Sequence, residues 1–283
     1  MGSDKGWKSF KKDVNNMVNS SVPTIEQEPA DKIGNFYDRR IERPLISEFY
    51  GHSDFLNFGY WLPETKHAKE ASENLVEQLL GFIPNKQGKI LDVACGLGAT
   101  TRYLRTYYPA SDVAAINISP NQLARSRINA PGCGFLAMNA AQLALVDESF
   151  NNMICVEAAF HFDTREAFLR EAHRVLKPGG YLVLSDVLVQ QWVAGWARWI
   201  PEANFVKDLQ EYREVFLRAG FESIEVVDAT TECWRGFRRH VWRWGLKKLL
   251  VGEAGVGAIS KGAIWLTMTS LITNYLLVSA KKA

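Results

Sequence analysis

Short, uninterrupted apolar runs alternate along the chain with stretches whose apolar positions recur every three or four residues. From His67, the residues Ala68, Ala71, Leu75, Val76, Leu79 and Leu80 fall on one helical stripe. "KILDVA" and "SDVAAIN" then predict a first and a second strand. Ser119-Pro120-Asn121-Gln122 predicts a helix start: a Ser cap, Pro at the first helical position and Gln placed for a capping box. "GFLAMNA" and "FNNMICVEAA" predict strands three and four. Asp163-Thr164-Arg165-Glu166 caps a helix with the apolar face Phe168, Leu169, Ala172, Val175 and Leu176. "KPGG" is a tight turn before "YLVLSDV", strand five. Asp208 to Gly220 is a further capped helix, "FESIEVVDA" is strand six, and "NYLLVSA" closes the series. Strands that are apolar throughout and separated by helices predict an α/β fold with a parallel sheet covered on both faces. Ligands of such sheets bind outside the carboxyl ends of the strands.

The chain has 283 residues, 47% hydrophobic and 23% charged, which suits one decorated domain. Residues 1–66 read as a mobile leader and N-terminal lid. Residues 67–283 read as the main domain, with inserts at about 188–207 and 233–262. A net charge of +2 gives no reason to expect nucleic acid as a partner. Cys95, Cys133, Cys155 and Cys233 lack metal-ligand spacing and predict reduced thiols and no metal site. The opening residues lack a signal-peptide core, and Gly6 breaks a myristoylation pattern. The uncharged stretch Gly262 to Ala280 is interrupted by Thr267, Thr269, Ser270, Thr273 and Asn274, so a helix end and a buried strand fit better than a membrane span. The expectation is a soluble, cytoplasmic protein; the sequence leaves its oligomeric state open.

"KILDVACGLGATTRYL" is a strand, a glycine turn and a helix start. A dinucleotide fingerprint needs a third glycine where Thr101 stands, and an acid at the end of strand two where Asn117 stands. A phosphate loop needs a Gly-Lys-Ser/Thr that is absent. The turn by itself is weak evidence for any ligand.

"LDVACGLGATT", "AINISPNQL", "MNAAQLAL", "FNNMICVEAAFHF" and "RVLKPGGYLVLSD" follow one another in the order and spacing of another family. Over about residues 55–230 the chain resembles class I S-adenosylmethionine-dependent methyltransferases. It looks most like the subgroup acting on small molecules such as quinones, sterols, tocopherols and natural products. The resemblance implies a Rossmann-like sheet of seven strands, mostly parallel, with a helical cap over the acceptor pocket. It implies that Asp92 orients the loop or meets the cofactor's amino group. Ala94, Gly96 and Gly98 would let backbone approach the methionine portion. Asn117 and Ile118 would meet the ribose and adenine, with Gln122 beside them. Relatives usually carry an acid at the position of Asn117, so cofactor affinity is expected to differ. Asn139 and Ala140 would read the adenine edge, Glu157 would lie beneath the cofactor, and Tyr60 would approach its carboxylate. Phe36 and Tyr37 would belong to a lid.

Methyl transfer needs an acceptor held in line, and a hydroxyl acceptor also benefits from a base. His161, just beyond strand four, is the candidate base; the alternative is a histidine wedged between Phe160 and Phe162 that only shapes the pocket. Asp186, after strand five, is expected to cap the next helix, the alternative being contact with an acceptor. Phe58 and Trp61 are expected in the core. Phe160, Trp192 and Trp196 are candidate walls of an apolar acceptor pocket. In "CWRGFRRHVWRWGLKKLLVG" basic and aromatic residues interleave at helical spacing, leaving a solvated face, a peripheral membrane contact through 233–250, or a clamp for an anionic acceptor.

Together these features predict a methyltransferase for a small, largely apolar acceptor, with oxygen the first choice of methylated atom. A nitrogen or carbon acceptor is the alternative. A nucleotide-dependent oxidoreductase and a non-catalytic cofactor-binding protein are the rivals from other classes.

Overall fold

A computed structural model describes residues 44–190, 192, 200–253 and 271–283. The leader, most of the Trp-containing insert and the segment before the last strand lie outside the described residues.

Seven strands form one sheet: β1 (Ile90–Val93), β2 (Val113–Asn117), β3 (Gly134–Ala137), β4 (Phe150–Val156), β5 (Leu176–Val189), β6 (Ser223–Asp228) and β7 (Ile272–Lys281). Their spatial order is β3-β2-β1-β4-β5-β7-β6. The pairings from β3 across to β5 are all parallel, and β7 runs antiparallel to both β5 and β6. The sequence predicts this mostly parallel, seven-stranded arrangement.

Burial explains why the strands read as unbroken apolar runs. Ile90, Ile154, Val183 and Leu277 point into one core, packed against helix α2 (Ala68–Gly81) through Leu75, Val76 and Leu79. Their neighbours Leu91, Met153, Leu182, Leu184, Leu276 and Val278 point into the other. That second core is closed by Phe168 and Leu169 of α5 (Arg165–Val175) and Tyr212 and Phe216 of α6 (Leu209–Arg218). With both faces covered, alternation has no polar side to reveal.

The remaining helices are α1 (Pro44–Phe49), α3 (Ala99–Leu104), α4 (Pro120–Asn129) and α7 (Gly236–Leu250), the last preceded by a wide turn at Thr231–Arg235. Thr164 and Asp208 cap α5 and α6 by accepting from the Ala167 and Glu211 amides. Ser119 caps α4, accepting from the Gln122 amide, but the reciprocal half of the expected capping box is supplied differently: the Ser119 amide donates to Asn117 Oδ1.

Strand ends differ from expectation at β3, β4 and β5, and β3 stops at Ala137, three residues short of the end of "GFLAMNA". β4 stops at Val156, because Glu157 takes a left-handed backbone (φ 51°) that no strand continues through. β5 begins earlier than "YLVLSDV": Leu176 already pairs with Phe150, and the KPGG turn interrupts the register before Tyr181 pairs with Asn152.

Candidate active site

The carboxyl ends of β1, β2, β3 and β4 bring the glycine loop, Asn117, Asn139 and Glu157 to one edge of the sheet. The loop is held from behind by its carbonyls. Gly96 O accepts from Ser126 Oγ (2.8 Å) and Asn117 Nδ2 (3.3 Å), and Leu97 O accepts from Asn129 Nδ2 (2.8 Å). One helix, α4, and the end of β2 therefore fix its path before any ligand arrives, a preorganisation that favours binding.

The two loop glycines are needed for different reasons. Gly96 has φ +54°, and a Cβ there would meet no atom within 4 Å, so the chain offers bare backbone to an open space. Gly98 has φ +81°, but its Cβ would lie 2.9 Å from both Cα and Cβ of Ser126. Its missing side chain lets α3 pack on α4, so the glycine at 98 answers to packing. Ala94 completes the turn with φ 59°, a left-handed residue in a region that costs most side chains energy.

Asp92 is buried in β1 and accepts from Thr101 Oγ1 at 2.6 Å. Burial pushes its carboxyl up to about 7 against the pull of the threonine bonds. Thus Thr101, in the place of the third fingerprint glycine, serves the strand-one acid. Asn117 commits its side chain to the protein: Nδ2 reaches Gln122 Oε1 (2.9 Å) as well as Gly96 O, and Oδ1 takes the Ser119 amide. An acid could not donate these two bonds. Asn139 turns its Oδ1 onto the Ala141 amide in an Asx turn, and Ala140 is buried beside it. Ile118 is half-buried.

Glu157 ties three elements together. Its Oε1 accepts from the Phe58 amide and from the Tyr275 hydroxyl, each at 2.6 Å. Burial raises this carboxyl to about 8 although both bonds pull it down. Phe58 belongs to a strap, residues 51–61, that also reaches the glycine loop: Asp54 Oδ2 accepts from Asn129 Nδ2 (2.8 Å), and Ser53 O from Arg102 (2.8 Å). Tyr60 is half-buried, with its amide on Ala71 O (2.7 Å) and its phenol raised by burial and by Glu232. Trp61 is core, packed where Gly236 leaves room for it and stacked on His240 at 4.2 Å. Asn57 carries a buried Oδ1 without a hydrogen-bond partner, the kind of atom a ligand donor satisfies. No pattern in the sequence singles it out.

His161 lies half-buried in the turn Ala159–His161 directly after β4, its ring 4.1 Å from that of Phe160. Asp186 does not cap a helix. It is fully buried in β5, accepts from Arg165 Nε (2.7 Å) and Tyr212 OH (2.9 Å), and lies 0% exposed beneath the sheet edge. A buried guanidinium requires such a partner, and the helix-start pattern around Arg165 gives no sign of it. Trp192 is 71% exposed and bonds its neighbour Gln190, so the residues described around it do not make it a pocket wall. Phe36, Tyr37 and Trp196 lie outside the described residues.

The geometry fits an adenosyl cofactor: bare backbone at Gly96, polar strand ends at Asn117 and Asn139, and an unmet buried acceptor at Asn57. Comparison with known proteins agrees. A methyltransferase domain model matches residues 91–184. The chain is 31% identical to the 27-O-demethylrifamycin SV methyltransferase of Amycolatopsis mediterranei, over 71% of this chain and 77% of that protein. It is 29% identical to methyltransferase GfsG of Streptomyces halstedii, over 71% and 76%. Its fold superposes on the [4+2]-cyclase SpnF with a TM-score of 0.67 at 20% identity, covering 93% of this chain and 99% of that one. A cyclase among the structural neighbours means that the fold alone does not carry the chemistry. The sequence relatives decide the family: the chain belongs to the class I S-adenosylmethionine-dependent methyltransferases.

Proposed function

We propose that the enzyme methylates an oxygen of a small, largely apolar, natural-product-like acceptor, with His161 as general base. The observation that carries this reading is the position of His161, half-buried in the turn that leaves β4, four residues beyond Glu157 at the same sheet edge as the glycine loop. S-adenosylmethionine supplies an activated methyl group, so the protein's task is to align an acceptor and remove its proton. The rifamycin-modifying relative, named a methyltransferase of 27-O-demethylrifamycin SV, supports oxygen as the target. Gly96, Asn117, Ile118, Asn139, Ala140 and Glu157 are assigned to the cofactor side, with Asp92 and Gln122 holding its frame and Tyr60 closing it. Phe160, Phe36, Tyr37 and Trp196 are assigned to the acceptor side.

The test is transfer of label from methyl-labelled S-adenosylmethionine to a panel of hydroxylated polyketides, terpenoid alcohols and matched amines. Label on a hydroxyl oxygen supports the reading; label only on nitrogen or carbon replaces it.

A second feature favours contact with a lipid surface. Arg239, Arg243 and Lys247 line the exposed side of α7, flanked by Trp242, Leu246 and Leu250, of which Leu250 is 78% exposed. Cations beside an aromatic and two leucines on one face suit anionic headgroups. We assign this face to the membrane that holds an apolar acceptor.

A further inference from the structure

Asn204 belongs to the short turn Glu202–Asn204, in the segment between β5 and α6, and is 3% exposed. It contacts neither the glycine loop nor the strand ends described above. Its amide nitrogen donates to Phe162 O at 2.7 Å and to Phe160 O at 3.1 Å. The two carbonyls that flank His161 thus hang on one side-chain amide. The other end of that amide is equally engaged: Oδ1 accepts from the Arg165 backbone amide at 2.6 Å, and the Asn204 carbonyl accepts from Arg165 Nη1 at 2.6 Å.

Arg165 is itself fixed. Its Nε donates to Asp186 Oδ2, the oxygen that also takes the Tyr212 hydroxyl, and Asp186 sits towards the carboxyl end of β5, paired across to Leu276. A continuous chain of charged and amide bonds therefore runs from the rigid sheet, through Arg165 and Asn204, to the backbone on either side of His161. Asp186, Tyr212, Arg165, Asn204 and Phe160 are buried, and only the bond to Phe162 is part-buried; in such surroundings these bonds are strong.

We propose that Asn204 is a positioning residue for His161. It sets the direction in which the imidazole leaves the β4 turn, and it couples that direction to the insert between β5 and α6. The proposal rests on the assignment of His161 as base. The role demands a carboxamide: two donors side by side, with an acceptor opposite. Aspartate at this position keeps the acceptor for Arg165 but sets a carboxylate against two carbonyls. Serine keeps one donor of two.

The experiment uses the full chain saturated with S-adenosylhomocysteine and carrying ring-labelled histidine. The His161 resonance is assigned by its loss in His161→Gln, and its titration is followed by NMR in wild type, Asn204→Asp and Asn204→Ser. The expected result is a displacement of the His161 midpoint by about half a unit or more in Asn204→Asp, the size of an ordinary change of surroundings, and a smaller one in Asn204→Ser. The midpoints of His52 and His67 stay in place, and affinity for S-adenosylhomocysteine is retained. If Asn204→Asp does not fold, Asn204→Ser decides alone. An unchanged His161 titration in a folded variant overturns the proposal. Because no acceptor is present, this readout is separate from the base assignment, which turnover of His161→Ala decides.

Discussion

Thr101 donates its hydroxyl to the Asp92 carboxyl at 2.6 Å, tying the first turn of α3 to the strand that feeds the glycine loop. Thr101→Val removes that donor from a buried acid. The expected cost is about 1–3 kcal/mol, the usual penalty for an unsatisfied buried acceptor, read as a lower melting temperature. The sign with pH follows from the raised carboxyl, which stands near 7 where 3.8 is ordinary. A raised acid stabilises the fold fully below its unfolded value, and that contribution drains away as pH climbs towards 7. The Asp92→Asn variant should therefore gain stability relative to wild type across that window. A constant difference between the two melting curves at every pH would contradict this assignment.

The two loop glycines should fail in different assays. Gly98→Ala drives a Cβ into Ser126 and should lower stability by about 1–3 kcal/mol, as overpacking does. Gly96→Val meets open space, so its folding cost should be confined to the left-handed backbone, about 1–2 kcal/mol. Its binding of S-adenosylhomocysteine should vanish in a calorimetric titration. Full affinity in a folded Gly96→Val protein would mean that the cofactor does not approach this backbone.

His161→Ala should cut turnover by about a hundredfold if its imidazole takes the acceptor proton, with S-adenosylhomocysteine affinity unchanged. A loss below about threefold retires the base role and leaves a histidine that shapes the pocket.

Arg165→Met strands the Asp186 carboxyl in the core. Breaking one side of a buried pair costs about 3–5 kcal/mol, so this substitution should be among the most destabilising single changes. Pairing it with Asp186→Leu should recover much of the loss in chemical denaturation. Equal losses from the single and the double variant would show that the ion pair is not the cause.

Charge reversal at Arg239 and Arg243 should weaken sedimentation with phosphatidylserine vesicles by about tenfold or more, since each cation near such a surface is worth about 1 kcal/mol. The loss should shrink in high salt. Equal binding to neutral and anionic vesicles, or none to either, would leave α7 as a solvated face.

The sequence displayed the sheet because its central strands, β1 and β2 above all, are buried on both faces, and such strands need no partner information to be recognised. Local caps at Ser119, Thr164 and Asp208 were legible for the same reason: a cap spans three residues. What escaped was long-range. Arg165 and Asp186 lie 21 positions apart, and Asn204 meets Phe160 across 44. No periodicity announces such pairs. An acid directly after a strand suggests a helix cap, whereas Asp186 pairs with Arg165 and Tyr212 in the core. Gly98 was legible as a glycine that matters, but not as one that answers to Ser126, since packing between α3 and α4 leaves no trace in either segment alone. Asn57 gave no signal because an unpaired acceptor is a property of its surroundings.

The position of β7 has a consequence for biosynthesis. β6 is made before β7, yet pairs within the sheet only with β7, which also completes β5. A nascent chain that has reached β6 therefore holds two bare strand edges waiting for one late segment. Such edges are templates for wrong pairing between chains. Chaperone demand during translation should fall on this interval, and slowing synthesis between β6 and β7 should raise aggregation more than slowing it between β1 and β2.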